Sequence, residues 1–164
     1  MAIVVMGVGG AGKTTLARRL SAAMNAEFVD ADIFHAPESV RKMTRGIALD
    51  DADRAPWLQR VNREILRRPA RTVIACSALK RAYRDILRRD TDPPVWFVHL
   101  VVNEAEVRRR LSARKGHYFP ETLAGSQFAA LEPLQPDEHG MCLDASRSPD
   151  ELVADVLAAS SGSP

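Results

Sequence analysis

The chain has 164 residues, a length that fits one domain with a substantial hydrophobic core. Its hydrophobic and charged fractions, 46% and 27%, are those of an ordinary folded protein, which excludes extensive disorder outside a Ser-rich tail at about 160–164. The net charge of +2 gives no electrostatic basis for binding nucleic acid or a membrane surface.

Cysteine usage and the first residues bear on the compartment. Cys76 and Cys142 have a spacing that fits neither a zinc site nor a disulfide framework. The apolar stretch at 2–6 runs directly into a glycine loop, and it is too short for a signal sequence or a membrane span. We therefore expect a cytoplasmic protein.

Apolar runs of strand length alternate with amphipathic helical patterns along the chain. The apolar runs lie at 3–6, 27–30, 72–76, 95–102 and 141–143. The helical patterns lie at 13–24, 53–68, 79–89, 104–114 and 149–159. Asn103 and Ser148 are the expected N-caps of the last two helices. Because the runs lack polar alternation, they suit strands buried on both faces. The alternation predicts a single α/β domain with a five-stranded parallel sheet and helices on both faces.

Two segments interrupt this alternation, at about 31–56 and 115–137. Both are rich in polar residues and in Pro or Gly. In an α/β fold such insertions carry substrate and lid functions. We therefore expect a substrate insert in the first segment and a mobile lid in the second.

A phosphate-binding loop follows the first predicted strand. The segment from Gly7 to Thr14 matches G-x-x-x-x-G-K-[ST] in full and stands between a strand and an amphipathic helix, as the motif requires. Its amides and the helix N-terminus favour phosphate oxygens, Lys13 can reach the β- and γ-phosphates, and Thr14 offers a hydroxyl to Mg²⁺. The residues expected to bind ATP here are Gly7, Gly9, Gly10, Ala11, Gly12, Lys13, Thr14 and Thr15.

A phosphate loop predicts a nucleotide but not a reaction. The chain has neither an N-K-x-D guanine motif nor a D-x-x-G switch after a strand, which argues against a GTPase. The acceptor of the phosphoryl group must therefore be sought in the two inserted segments.

Two carboxylates follow the second predicted strand, Asp30 and Asp32. In a doubly wound sheet this strand end lies beside the phosphate loop, where ligands bind. On an extended chain the two side chains point the same way. Asp30 is the candidate for holding Mg²⁺ through water, and Asp32 for accepting the proton of the attacking hydroxyl. The alternative for Asp32 is a helix N-cap.

Three cations are predicted near the acceptor. Arg54 and Lys80 each fall in the first turn of a predicted helix, where a cation opposes the helix dipole unless an anion lies nearby. Arg84 lies one turn after Lys80, with a solvated helix face as its alternative. If the three converge, the acceptor carries a carboxylate. Asp50 or Asp51 is the expected cap of the helix that contains Arg54.

Arg110 and Arg114 lie one turn apart at the end of the fourth predicted helix, before the lid segment. Arginine suits the charge that spreads over the phosphate oxygens during transfer. An exposed basic helix is the alternative. The predicted catalytic residues are thus Lys13, Asp32 and Arg114, with Arg110 and Arg114 also contacting the nucleotide.

Several motifs together resemble the gluconokinase family of P-loop kinases. They are D-A-D with His35, K-M with Gly46, D-R before P-W-L, C-S-A-L-K-R-A-Y-R at 76–84, R-K-G-H-Y-F-P at 114–120, and S-Q-F with L-E-P at 126–133. The resemblance covers nearly the whole chain in the same order. It implies phosphorylation of D-gluconate to 6-phospho-D-gluconate by ATP with Mg²⁺, in a homodimer. The substrate-binding residues that it implies are Asp32, His35, Lys42, Gly46, Asp53, Arg54, Ser77, Lys80, Arg84 and Gln127.

The chain departs from the family pattern at Ala36 and Ala48, where the family usually has Pro, and at Ser39, where it usually has Asn. Ser39 is expected to matter most, because Asn would offer more hydrogen-bonding groups to a polyol. A shikimate-kinase-like enzyme remains the alternative, although its three-glycine substrate loop is absent. The D-G-[FY]-P-R segment that is typical of nucleoside monophosphate kinases is also absent from the sequence. A non-catalytic nucleotide-binding protein would predict a damaged Lys13, Thr14 or Asp32, and all three are intact.

Overall fold

The protein is described by a computed structural model that covers residues 1–68, 71–113 and 123–161. Five strands alternate with helices over these residues. The strands are β1 (Ala2–Met6), β2 (Glu27–Asp30), β3 (Thr72–Ala75), β4 (Trp96–Val101) and β5 (Gly140–Asp144). The helices are α1 (Lys13–Ala23), α2 (Pro37–Thr44), α3 (Asp51–Arg67), α4 (Arg81–Leu87), α5 (Glu104–Ser112), α6 (Ala124–Ala130) and α7 (Pro149–Ser161).

The five strands form one parallel sheet in the order β2-β3-β1-β4-β5. The chain crosses from one side of β1 to the other between β3 and β4, so the sheet has its topological switch at the carboxyl end of β1. In doubly wound sheets ligands bind at this point. The predicted fold class is confirmed.

Burial explains why the apolar runs became strands. Every residue of β1 and β3 is buried, and so are the first five of the six residues of β4. Helices cover both faces, with α1 packed on β3 and α7, and α3 packed on α4. Trp57 and Leu58 belong to this core.

Helix boundaries follow their capping residues. Asp50 accepts a hydrogen bond from the Asp53 amide at 2.8 Å and the Asp53 side chain accepts from the Asp50 amide at 3.2 Å. This capping box starts α3 two residues earlier than the predicted start at Asp53. Asn103 caps α5 as predicted. Lys80 has extended dihedral angles and precedes α4 rather than standing inside its first turn.

The two inserted segments hold short helices of their own. The first contains a 3₁₀ turn at 31–34 and the helix α2, and the described part of the second contains α6. The last helix, α7, continues through Ser161, two residues into the stretch expected to be disordered.

Candidate active site

The phosphate loop curls over the carboxyl end of β1. Gly12 has φ = +100°, a left-handed conformation that side chains disfavour, and it directly precedes α1. A Cβ on Gly7 would lie 2.9 Å from the carbonyl oxygen of Leu100, so only glycine fits there. The Lys13 amine donates to the carbonyl oxygen of Val8 at 2.9 Å. The first turn of α1 contains no acidic residue, which leaves its positive end available to an anion.

A pocket extends from this loop toward the first insert, and it brings together residues predicted for both substrates. The nucleotide-side residues that line it are Gly9, Gly10, Gly12, Lys13, Thr14 and Thr15. The acceptor-side residues that line it are Asp30, Asp32, His35, Arg54, Ser77 and Gln127. A bound phosphoryl donor and a small acceptor would therefore meet within one cavity.

Asp30 and Asp32 both line this pocket, but not as neighbours on an extended chain. Asp30 ends β2 and its carboxylate accepts from the Asp32 amide at 3.1 Å, which caps the 3₁₀ turn. The capping role considered for Asp32 thus belongs to Asp30. Burial raises the pKa of Asp30 above its usual value. The Asp32 side chain is 57% exposed and lines the pocket, and it does not cap the 3₁₀ turn.

His35 lies beside Asp32. Its ring stacks on Trp57 with centroids 4.2 Å apart, and Trp57 is fixed by a 2.7 Å hydrogen bond to the carbonyl oxygen of Ala31. The His35 Nε2 atom is 3.8 Å from an Asp32 carboxylate oxygen. Burial, with a contribution from the charge of Arg54, lowers the pKa of His35 to about 4. The imidazole is therefore neutral at neutral pH.

Arg54 supplies the positive charge of the acceptor side. Its Nε atom donates to the carbonyl oxygen of Leu49 at 3.3 Å, and its guanidinium lies 5.7 Å from the centre of the Tyr83 ring. Among the described residues no carboxylate forms an ion pair with Arg54. A cation at the start of a helix, lining a cavity, with no protein anion on it, is suited to bind an anionic ligand.

Other predicted acceptor residues instead satisfy one another. Lys42 donates to both carboxylate oxygens of Asp53 at 2.7 and 2.9 Å, and this raises the pKa of Lys42. Lys80 donates to both oxygens of Asp51 at 2.8 and 3.0 Å. Gly46 follows α2 with φ = +75°. None of these residues is among those that line the pocket. The anion that offsets Lys80 among the described residues is the neighbouring Asp51.

Arg84 is not in the acceptor site, which corrects the prediction that it converges with Arg54 and Lys80. Its side chain is 0% exposed and pairs with Glu138, also 0% exposed, through contacts of 2.6 and 2.7 Å. The solvated alternative is equally wrong. Arg84 also donates to the carbonyl oxygens of Ala78, Leu79, Glu132 and Pro133. We call Arg84 with these five partners the Arg84 clasp.

A second cavity borders the phosphate loop on the side of β4 and β5. Arg110 lines it and donates to the carbonyl oxygens of Ala11 at 3.3 Å and Ala145 at 2.8 Å. Ser146 and Arg147 line it as well, although sequence reasoning did not select them. The sequence signal for the region around this cavity was the fifth apolar run, at 141–143. Arg114 and the lid residues 115–122 lie outside the described residues, and their roles stay predictions.

Apolar residues form a wall of the acceptor pocket that sequence reasoning also missed. They are Met43, Ala48, Leu49, Leu111 and Leu123. For all but Leu111, which belongs to α5, the signal was their apolar character within otherwise polar insertions. Of the three departures from the family pattern, Ala48 lines the pocket, whereas Ser39 is buried and does not.

Oxygen donors suited to Mg²⁺ occur at the loop end of the pocket. Thr14, Asp30 and Asp32 all line it. Within the described ranges no group of three or more His, Cys, Asp or Glu side chains is placed to hold a metal ion. The oxygens of Thr14, Asp30 and Asp32 fit Mg²⁺, which usually keeps several waters and is bound through one or two protein oxygens plus substrate phosphates.

None of the helices described is long and apolar enough to cross a membrane.

Comparison with known proteins gives these features a family. Residues 3–134 match the family described as AAA domain. The chain is 41% identical to a gluconokinase of Gluconobacter oxydans, over 94% of this chain and 88% of that protein. This chain belongs to the gluconokinase family.

Solved structures agree with that assignment. A sugar kinase from Janibacter sp. superposes with a TM-score of 0.91 at 44% identity, covering 96% of this chain and 92% of that one. A gluconokinase from Sinorhizobium meliloti superposes with a TM-score of 0.87 at 37% identity, covering 96% and 89%. A shikimate kinase from Aquifex aeolicus, 16% identical with a TM-score of 0.66 over 99% and 97%, shares the fold alone.

Proposed function

We propose that this protein transfers the γ-phosphoryl group of ATP to D-gluconate, which yields 6-phospho-D-gluconate and ADP. The observation that carries the proposal is the single pocket in which the phosphate loop, the Asp32 carboxylate and the Arg54 guanidinium meet. Family membership supplies the substrate class. The shikimate-like alternative has only a shared fold in its favour.

The loop binds and orients the donor. Its amides, the N-terminus of α1 and Lys13 offset the negative charge of the phosphates. The same groups stabilise the charge that develops on the phosphate oxygens during transfer. Mg²⁺, held by phosphate oxygens with Thr14 and through water by Asp30, would neutralise further charge when bound.

Asp32 orients the acceptor. The hydroxyl oxygen of the sugar acid forms the new bond to the γ-phosphorus, the bond from that phosphorus to ADP breaks, and the hydroxyl proton passes to the Asp32 carboxylate. Phosphoryl transfer depends chiefly on such positioning and on charge stabilisation. The exposed carboxylate of Asp32 is available for this because Asp30 takes the capping role.

Arg54 selects the acceptor by its carboxylate. A neutral sugar would leave the Arg54 guanidinium without an anionic partner. A site built to bind a carboxylate therefore rejects analogues that have no carboxylate. Ser77 and the neutral imidazole of His35 offer hydrogen bonds to hydroxyl groups on the same side of the pocket. A contribution of Arg114 and assembly as a homodimer remain part of the proposal.

The test is an ADP-release assay with saturating ATP and Mg²⁺ over D-gluconate, other aldonates, glucose, shikimate and AMP. We expect kcat/KM for gluconate to exceed that for glucose by about 10- to 150-fold or more, the range for losing a hydrogen bond to a charged group. Equal values for gluconate and glucose would refute selection by carboxylate. Faster turnover of shikimate or AMP would assign a different acceptor.

A further inference from the structure

The 3₁₀ turn that carries Asp32 is short. It spans only the four residues 31–34, and hydrogen-bond geometry in such turns is poorer than in an α-helix. Within the segment the Asp30 carboxylate accepts from the Asp32 amide, and the His35 amide donates to the Asp32 carbonyl oxygen at 3.2 Å. These local bonds shape the turn, but its position relative to the rest of the pocket depends on contacts with another element.

Helix α3 supplies such contacts. The indole N–H of Trp57 donates to the carbonyl oxygen of Ala31 at 2.7 Å, directly before Asp32 in the chain. The same side chain stacks on His35, just after the turn, with an angle of 15° between the two rings. Trp57 and Ala31 are 1% and 0% exposed, so water does not compete for their hydrogen bond. Trp57 thus holds the turn on both sides of Asp32.

The same helix carries the proposed carboxylate-binding residue. Arg54 lies three residues before Trp57, so the two are neighbours on the surface of α3, and Arg54 lines the acceptor pocket. Three residues after Trp57, Arg60 donates to the carbonyl oxygen of Phe34 at 3.0 Å, at the end of the turn. One helix therefore bears both the guanidinium on the acceptor side and the groups that hold Asp32.

We propose that Trp57 is a positioning residue that fixes the Asp32 carboxylate at a set distance from the Arg54 guanidinium. This inference rests on the proposed function, in which Arg54 binds the carboxylate of the acceptor and Asp32 takes the proton of its reacting hydroxyl. In the acceptor a chain of carbon atoms joins these two groups. A fixed spacing between Asp32 and Arg54 therefore favours acceptors of one length and aligns their hydroxyl for transfer.

Trp57→Phe tests the proposal, because it keeps an aromatic ring in the core and removes the indole N–H. We expect kcat for gluconate, per folded molecule, to fall about 10- to 100-fold, since a displacement of about 1 Å has an effect of that size. The Kd of MgATP should not change. Trp96→Phe is the matched control, because Trp96 is also buried but begins β4, at the end of the sheet opposite the pocket. An equal fall in kcat in both variants, or none in Trp57→Phe, would overturn the proposal.

A double-substitution cycle with Asp32→Asn determines whether Trp57 acts through Asp32. If it does, Trp57→Phe should hardly change the kcat that remains in Asp32→Asn, because the group that it positions is already lost. If the two reductions multiply, Trp57 acts independently of Asp32 and the inference alone is refuted. A normal kcat in Asp32→Asn would instead refute the role of Asp32 in the proposed function, and this inference with it.

Arg60→Met keeps the test decisive if Trp57→Phe does not fold, because Arg60 is exposed and outside the core. Loss of its hydrogen bond to Phe34 should lower kcat about 2- to 10-fold, with no further effect in the Asp32→Asn background. Arg63→Met, also on the exposed face of α3, should leave kcat unchanged. In that case an unchanged kcat in Arg60→Met would overturn the proposal.

The length of the acceptor gives a second readout. In the unmodified protein kcat/KM for gluconate should exceed that for an aldonate one carbon shorter by about 10-fold or more. Trp57→Phe should reduce this ratio and Trp96→Phe should preserve it, because only the first substitution loosens the spacing between Asp32 and Arg54. A ratio that stays the same in Trp57→Phe would refute the fixed spacing.

Discussion

Arg54 and Arg84 were predicted to serve the same substrate carboxylate, yet they lie in opposite kinds of surroundings. Arg84 is enclosed in its clasp, where Glu138 supplies two charged contacts and four carbonyl oxygens accept the remaining hydrogen bonds. Arg54 lines a pocket and donates to a single described carbonyl oxygen, that of Leu49. The comparison shows that a cation whose anion is supplied by the fold is structural, whereas one whose anion is not supplied is available to a ligand.

The energetic consequences of the two surroundings differ. Removing one partner of a buried ion pair leaves an uncompensated charge and costs about 3–5 kcal/mol. Although burial raises the pKa of Glu138, its bonds with Arg84 and with the Gln135 amide leave that pKa below the usual value. Substitutions in the clasp should therefore lower the free energy of unfolding, and substitutions in the pocket should lower the rate of turnover.

Asp32→Asn gives the largest effect expected on the pocket side. The amide keeps the shape of the side chain but cannot take the hydroxyl proton, and loss of a general base typically costs about 10²–10⁴-fold in rate. We expect kcat to fall by that factor while MgATP affinity and melting temperature stay nearly constant. Measuring all three on one sample checks this. Lower stability with unchanged turnover per folded molecule would show that Asp32 is structural.

Arg84→Met gives the corresponding effect on the clasp side. It leaves Glu138 charged and buried, so the free energy of unfolding should fall by about 3–5 kcal/mol. Urea unfolding measures the change, and kcat per folded molecule should stay within a few fold. The double substitution Arg84→Met with Glu138→Leu removes both charges and should recover much of the loss. A large fall in kcat without loss of stability would return Arg84 to the acceptor site.

Arg54→Met sharpens the comparison with a smaller effect. Loss of a hydrogen bond to a charged group corresponds to about 10- to 150-fold in kcat/KM for gluconate. The free energy of unfolding should hardly change, because none of the described carboxylates loses an ion-pair partner. Arg63→Met, on the exposed face of α3, is the matched control. A loss of stability like that of Arg84→Met would erase the distinction between the two arginines.

The smallest effect concerns the pH dependence of stability near His35, whose pKa is lowered to about 4 from 6.5. Above pH 6.5 the imidazole is neutral in both the folded and the unfolded chain, so it contributes nothing to the pH dependence of stability. As the pH falls from 6.5 toward 4, only the unfolded chain gains this proton, so stability is lost.

The slope expected from this single group is at most about 1.4 kcal/mol per pH unit. His35→Gln should lose less of its unfolding free energy between neutral and acidic pH than the unmodified protein. His99, whose pKa burial also lowers, is present in both proteins and cancels in the comparison. Parallel losses in the two proteins would contradict the low pKa of His35.

Features with local signals were predictable from the sequence. The apolar runs, the loop motif and the cap at Asn103 each depend on residues within one turn or one strand. The acceptor side was predicted in part, because Asp32, His35 and Arg54 follow strands or start helices at the ligand edge. Those placements follow from the predicted parallel sheet, because the carboxyl ends of parallel strands share the edge where ligands bind.

Features that depend on a distant partner were not predictable. Nothing near Arg84 identifies Glu138, 54 positions away, as its anion. Lys42 and Asp53 were both expected to contact substrate, and only the fold shows that they contact each other. The same holds for Gln127, since a glutamine in an insertion gives no indication of its contact with Gly9.

The Arg84 clasp has a consequence for how relatives of this chain are recognised. The Glu132 amide donates to the carbonyl oxygen of Leu79, and the Glu132 carboxylate accepts from the Arg81 amide, so C-S-A-L-K and L-E-P lie against each other. Leu79 in the first motif and Glu132 in the second thus form a structural contact, although Ser77 of the first motif lines the pocket. A chain that kept both and lost Asp32 or Arg54 would still look like a family member by its signature, while being a pseudoenzyme.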